Sequence, residues 1–406
     1  MAIPVVVVTF TLLQLLVLLV FGYTSYDDSD AYISLARDCI QHNEPYPVKD
    51  QLYTLPFLWN VGAINAVVAS LALTGSVMPL LVLYSLLKGL TAALFYLLTK
   101  KLLGKKTAVV CLLLYIIYPA NYGESTTALS ELPFMFFVML GMWLAIANDR
   151  LFLGGLCFAL ANWFRPMSIV FLLALIIFLI YQWRKATDTS RGRTLCRRGG
   201  LLLSGYVLMI CLIGFSTMHR TGLFLYQAKT GWMNLADYST NNSPESLAIR
   251  DNESWNVSQK DSAWCSLFMQ WLKANPVKYI SQMPRKVAET YVSDNVNMCV
   301  FAPDKRYSSV SLRTLIRQFP SFSPVQWLTL FNLLYYYLLL LTALFSMRFF
   351  RLKSHLLPLS CILIGTALLM LVGFHGDARF HQPFMPFIIM LSSLCNFQKI
   401  TVNCTK

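Results

Sequence analysis

Apolar runs close to the length that crosses a bilayer recur along this chain, at 3–22, 77–99, 105–120, 131–147, 151–164, 166–183, 200–217, 326–346, 355–373 and 383–396, two of them joined near Arg165-Pro166. A water-soluble fold has no place for so many such runs, and hydrocarbon offers an unpaired backbone amide no partner. The pattern predicts an all-α, polytopic integral membrane protein of about ten transmembrane helices, with surface-lying helices in its outer loops. Composition agrees, because 56% of the 406 residues are hydrophobic and only 13% are charged, so that membrane lipid is the main solvent. The first run has no basic leading segment and no small-residue cleavage site, and is expected to stay as an uncleaved anchor.

A formal charge of +14 would suit nucleic acid if it formed one basic surface. Instead the cations sit in short clusters between apolar runs: Lys100-Lys101 with Lys105-Lys106, Arg184-Lys185 through Arg197-Arg198, and Arg348, Arg351 and Lys353. That is how charge fixes membrane orientation, so nucleic acid is not an expected partner and all three clusters are assigned to the cytoplasm. Keeping them on one side requires that Leu55 to Thr74 not span; Asn60 and Asn65 within it fit an interfacial or re-entrant segment. Of ten cysteines, none has metal-site spacing. Cys111, Cys157, Cys211, Cys361 and Cys395 read as small hydrophobes inside apolar runs, while Cys39, Cys265 and Cys299 are placed in loops.

This threading divides the chain into a membrane core at 1–217 with an outer loop at 23–76, an outer loop region at 218–325, and a second part of the core at 326–406. The 218–325 region carries three Asn-x-Ser triplets, at Asn241, Asn252 and Asn256, and an amphipathic stretch from Trp264 to Tyr291 that Pro276 and Pro284 are expected to break. It is expected to form short helices over a site. No internal repeat is visible, so chemistry falls to loops and helix ends.

Several polar groups share the outer face. Tyr26-Asp27-Asp28-Ser29-Asp30-Ala31-Tyr32 directly follows the first apolar run, where an acidic cluster is costly unless it is used. Glu124 lies in the turn Tyr122-Gly123-Glu124, Glu131 opens a helix, Arg165 lies between two apolar spans, and Arg379 lies in a turn flanked by His375 and His381. Simpler roles exist for some of them. Asp27 and Asp30 read as solvated interface charges, Glu131 as a first-turn carboxylate meeting free amides, Lys88 as a structural cation, and the two histidines as local hydrogen-bonding groups.

These motifs, in this order, resemble those of the membrane-embedded C-type glycosyltransferases, especially the protein O-mannosyltransferases and lipid A aminoarabinose transferases. Asp28-Ser29 stands before Tyr32 as the family's acidic pair stands before its tyrosine, and Glu131-Leu132-Pro133-Phe134-Met135-Phe136-Phe137 is similar to the motif of its second acid. Phe164-Arg165-Pro166 is similar to a cation that contacts the lipid phosphate, and Arg379-Phe380 with Pro383 and Pro386 to its arginine-tyrosine followed by prolines. The likeness covers 1–185 and 373–390; Ser29 replaces a Glu, Phe380 a Tyr, and the outer loop is unlike the family's.

The resemblance implies sugar transfer from a polyprenyl-phosphate donor, with Asp28, Glu131 and Asp30 as catalytic candidates and Arg165 and Arg379 holding the phosphate. Tyr32, Glu124, His375 and His381 would support them. The acceptor, whether protein, lipid or glycan, is left open. So is a divalent metal cofactor, since Asp28-Ser29-Asp30 mimics the Asp-x-Asp pair of oligosaccharyltransferase-like relatives. The membrane would be the plasma (inner) membrane with an extracytoplasmic site, or the endoplasmic reticulum with a luminal one. A ligase or polymerase of lipid-linked glycans and a secondary transporter are the competing readings.

Overall fold

The computed structural model describes residues 2–43, 60–185, 191–294, 296–301, 313, 317, 323–348, 355–372 and 378–394, and every regular element among them is helical. Helix α1 (Ile3–Phe21) has Pro4 in its first turn and stops at Gly22, whose φ of +66° ends the helix without the strain a side chain would bring. The amphipathic α2 (Asp27–Gln41) and the apolar α3 (Val61–Thr74) follow. Helices α4 (Met78–Leu103) and α5 (Lys105–Ile117) form a hairpin around Gly104, with Lys100 and Lys101 in the last turn of α4.

Two 3-10 turns, Pro119–Tyr122 and Glu124–Thr126, then meet α6 (Glu131–Ala147) at a bend of 114°. Helices α7 (Leu151–Phe164) and α8 (Ser168–Lys185) are separated at Arg165, which is extended at φ −152°, ψ 128°. Pro166 dictates this, because its ring excludes the helical conformation from the preceding residue. Helix α9 is Arg191–Thr221.

Polar helices α10 (Gly231–Thr240), α11 (Pro244–Asp251), α12 (Val257–Ala274) and α13 (Pro276–Tyr291) come next, then a 3-10 turn at Val296–Phe301. The chain closes with α14 (Pro324–Met347), α15 (Leu356–Val372), a 3-10 segment at Ala378–Phe384 and α16 (Met385–Ser392).

Every apolar run becomes helical, yet among the described residues only five helices are long and apolar enough to cross a membrane unaided: Ile3–Phe21, Met78–Leu103, Ser168–Lys185, Thr194–Thr221 and Pro324–Met347. The bent pair of 3-10 turns and α6 would make a sixth. The count of about ten therefore divides into full-length and short helices. Turns and the extended Arg165 consume part of the remaining runs, leaving α5, α7 and α15 at 13, 14 and 17 residues, about 20–26 Å against a hydrocarbon core of ~30 Å. Helix α3, with 14 residues, is likewise about 21 Å long; residues 55–59 of the segment expected not to cross lie outside the described set.

Small residues set the closest approaches. A Cβ on Gly155 would overlap the Leu202 carbonyl, one on Gly205 the Phe152 carbonyl, and Gly141 and Gly154 face each other across α6 and α7. In lipid, where no hydrophobic force drives helices together, such backbone approaches supply the packing energy. The starts of α2, α6 and α8 and the end of α7 meet at one pole of the bundle. Asp149, just past α6, pairs with Arg198 at the other, at 2.6 Å.

The 218–325 region has its own small core of Met233, Leu235, Ala236, Trp264, Phe268 and Tyr279. Pro276 starts α13, as expected, but Pro284 lies inside that helix rather than breaking it. Two asparagines of the Asn-x-Ser triplets are engaged locally. Asn252 accepts from the Ser254 amide and hydroxyl, and Asn256 caps α12 in a reciprocal box with Gln259. Cys39 and Cys265 are helical, in α2 and α12, not in loops.

Candidate active site

Four charged side chains from four separate elements meet at this pole. In the first turn of α2, Asp28 Oδ2 lies 2.6 Å from Arg379 Nη2. Arg379 Nε lies 3.6 Å from Glu131 Oε1 at the start of α6, and the same Oε1 lies 2.6 Å from Arg165 Nη1. Acid and base alternate along the chain Asp28, Arg379, Glu131, Arg165. Glu131 and Arg165 are 6% and 7% exposed, and removing one partner from so buried a pair would cost ~3–5 kcal/mol.

Aromatic faces cover the cations. The Arg165 guanidinium lies 5.7 Å from the Phe380 ring centre and that of Arg379 lies 5.5 Å from Tyr26. The extended backbone at Arg165 therefore has a local cause and a distant result, since it turns the side chain out of the helix stack and onto Glu131.

A neutral arm extends the network. Ser130 Oγ lies 3.4 Å from Arg165 Nη1 and accepts from Asn60 Nδ2 at 3.2 Å; Asn60 also donates to Tyr32 OH at 2.9 Å. Asn60 precedes α3 in the position where an asparagine usually caps a helix, yet its carboxamide makes no cap bond there. Burial raises the Tyr32 hydroxyl well above its ordinary pKa, and the carboxylates of Asp28 and Glu131 add to the effect, so it stays protonated.

Asp30 is held elsewhere, by the Tyr23 hydroxyl at 2.6 Å and Ser25 Oγ at 2.5 Å. Ser29 is fully buried and accepts from the Ala128 amide at 2.8 Å, tying α2 to the strand of chain before α6. Residues two apart on a helix face nearly opposite ways. Asp28 and Asp30 accordingly do not converge as an ion-binding pair, and among the described residues no group of three His, Cys, Asp or Glu is placed to hold a metal.

Glu124 belongs to a second, deeper pair with Lys88 of α4, and also accepts from Asn297 Nδ2 at 3.3 Å. Gly123 is required here, because a Cβ would overlap the Asn297 carbonyl. From α1, Gln14 donates to the Asn121 carbonyl at 3.1 Å and accepts from Ser125 at 2.9 Å, drawing the 3-10 turns down between the helices. His381 is fully buried, with Nδ1 2.7 Å from the Thr290 carbonyl and Nε2 3.0 Å from Asp294, and it ties the 218–325 region to the segment that carries Arg379. A cavity of about 20 Å³, lined by Lys88, Tyr118, Glu124, Glu131, Asp294 and Gln382 among others, lies between these groups. Its volume suits one water.

Of the expected residues, Asp28, Glu131, Arg165 and Arg379 form one network, with Tyr32 at its edge. Asp30, Glu124 and His381 have other partners, and His375 lies outside the described residues. Sequence reading passed over Ser130, Asn297 and Asp294, and left Lys88 as structural.

No family model and no curated protein matches the chain. Among solved structures it is similar to the crystal structure of ArnT from Cupriavidus metallidurans bound to undecaprenyl phosphate, with a TM-score of 0.40 and 12% identity over 97% of this chain and 77% of that one.

Proposed function

We propose that the chain is a membrane glycosyltransferase that moves a sugar from a polyprenyl-phosphate carrier to an acceptor on the extracytoplasmic side. The observation that carries this reading is the alternating network of Asp28, Arg379, Glu131 and Arg165, placed where apolar helices end. Two guanidiniums suit a phosphate better than any other side chains, because their planar donor forks match its oxygens. A carboxylate 2.6 Å from one of them puts a proton acceptor beside the anion site.

The acceptor's nucleophilic atom attacks the anomeric carbon while its proton passes to Asp28. The bond from that carbon to the phosphate oxygen breaks, and the lipid phosphate leaves with the electron pair, its charge held by Arg165 and Arg379. With one carboxylate at the anomeric centre, the displacement inverts configuration. Glu131 orients both arginines, and Tyr32, Asn60 and Ser130 fix Glu131 and Arg165 in turn.

The test is to incubate the purified, lipid-embedded protein with polyprenyl-phosphate sugars of several kinds and to score free lipid phosphate. Release from at least one donor, lost in Asp28→Asn, is the expected result. Release from none would overturn the reading in favour of a transporter or a glycan ligase.

A further inference from the structure

Helix α13 has three sides. At roughly 100° per residue, Tyr279, Lys286 and Thr290 fall on one stripe, and all three are buried against the protein. Its bonds fix the helix's depth. Tyr279 OH donates to the Leu371 carbonyl at 2.7 Å and Lys286 Nζ to the Met370 carbonyl at 3.3 Å. Both carbonyls lie in the last described turn of α15. α13 thus lies at the level where an apolar helix ends.

A second stripe, about a third of a turn away, holds Val277, Ile280, Pro284 and Ala288. Val277 is 78% and Ile280 62% exposed, and none of the described residues covers them. The third stripe holds Lys278, Arg285 and Glu289, with Lys273 exposed at the end of α12. The exposed charge at this corner is mainly positive, Glu289 being held by Arg285 at 2.7 Å. An apolar side and a cationic side, separated by a side bonded to the end of a membrane helix, is the distribution a helix has when it lies in a bilayer surface.

We propose that α13 lies in the membrane–water interface, with Val277, Ile280 and Pro284 among the upper acyl chains and Lys278 and Arg285 against anionic lipid phosphates. This rests on none of the reasoning about sugar transfer. It gives the 218–325 region an attachment to lipid, beside its attachments to the bundle through His381, Tyr279 and Lys286.

The test places a nitroxide label, one at a time, at Val277→Cys, Ile280→Cys and Arg285→Cys in the full-length protein, with other reactive cysteines replaced. The positions are exposed, so the fold is not at stake. In nanodiscs rich in phosphatidylglycerol, labels at 277 and 280 are expected to collide freely with oxygen and to be shielded several-fold from a water-soluble nickel chelate, with the reverse at 285. Equal nickel access at all three would overturn the proposal in favour of water. Shielding from both reagents at 277 and 280 would overturn it in favour of a second protein copy. Replacing phosphatidylglycerol by phosphatidylcholine is expected to raise nickel access at 280; no change would overturn the anionic-headgroup part.

Discussion

Asp28 is the acid whose single substitution discriminates best. Asp28→Asn keeps size and hydrogen bonding but accepts no proton, so donor binding is expected to survive while transfer falls by roughly 10²-fold or more. Asp27→Asn is expected to be nearly silent in the same assay. Arg165→Ala is expected to weaken donor binding more than Arg165→Lys, which keeps the charge but loses the planar fork, as a lipid-phosphate binding titration would show. The Lys88 and Glu124 pair makes a stability prediction of the same kind. Lys88→Met takes the cation from the Glu124 carboxylate, which is 17% exposed, and should cost up to about 3 kcal/mol, whereas Lys88→Met with Glu124→Gln should recover much of it in thermal unfolding. Asp28, Glu131, Arg165 and Arg379 were legible because a charge at the end of an apolar run stands out. Ser130, Asn297 and Asp294 were not, because an ordinary polar residue gains its role only from a partner brought to it by the fold.

At the scale of elements, the joints between helices matter more than the helices. The turn at Arg165-Pro166 and the bend before α6 place their charges; a join near Arg165-Pro166 and a turn at Tyr122-Gly123-Glu124 were read from the sequence, and Pro166 accounts for the first. Helix length was less readable, since an apolar run does not say how much of itself a turn will consume. Pro284 shows the converse error, a residue that usually ends a helix carried inside one. The glycines on α7 and α9 give the test. Gly205→Leu is expected to force the two helices apart at a cost of about 1–3 kcal/mol. Gly199→Leu, with nothing within 4 Å of its Cβ direction, should leave the melting temperature almost unchanged.

For the whole molecule, the two poles make a prediction about sidedness. Cysteines placed near Asp28, near Glu124 and in 240–310 should react with an impermeant maleimide from outside, and those near Lys105 and Arg193 should not. Outside labelling near Lys105 would mean that α3 and the residues before it span, and the common outer face would be lost. Gln14 sets the vertical scale. It lies seven residues before the end of α1, yet it bonds to Asn121 and Ser125 in the turns beside the charged pole. Those turns thus begin below the helix end, where the Gln14 side chain reaches Asn121 and Ser125, and climb to it at Thr126, whose carbonyl accepts from the Thr24 amide at 2.9 Å. For the proposed lipid-borne donor, a headgroup on a long isoprenoid tail would reach these turns by sliding sideways in its own leaflet. None of its methylenes has to be lifted into water, a transfer that would cost ~0.8 kcal/mol for each. Tail-free sugar phosphates, which must instead shed their hydration to descend, are expected to compete poorly with lipid-borne ones, and the comparison needs only a series of donors graded by chain length.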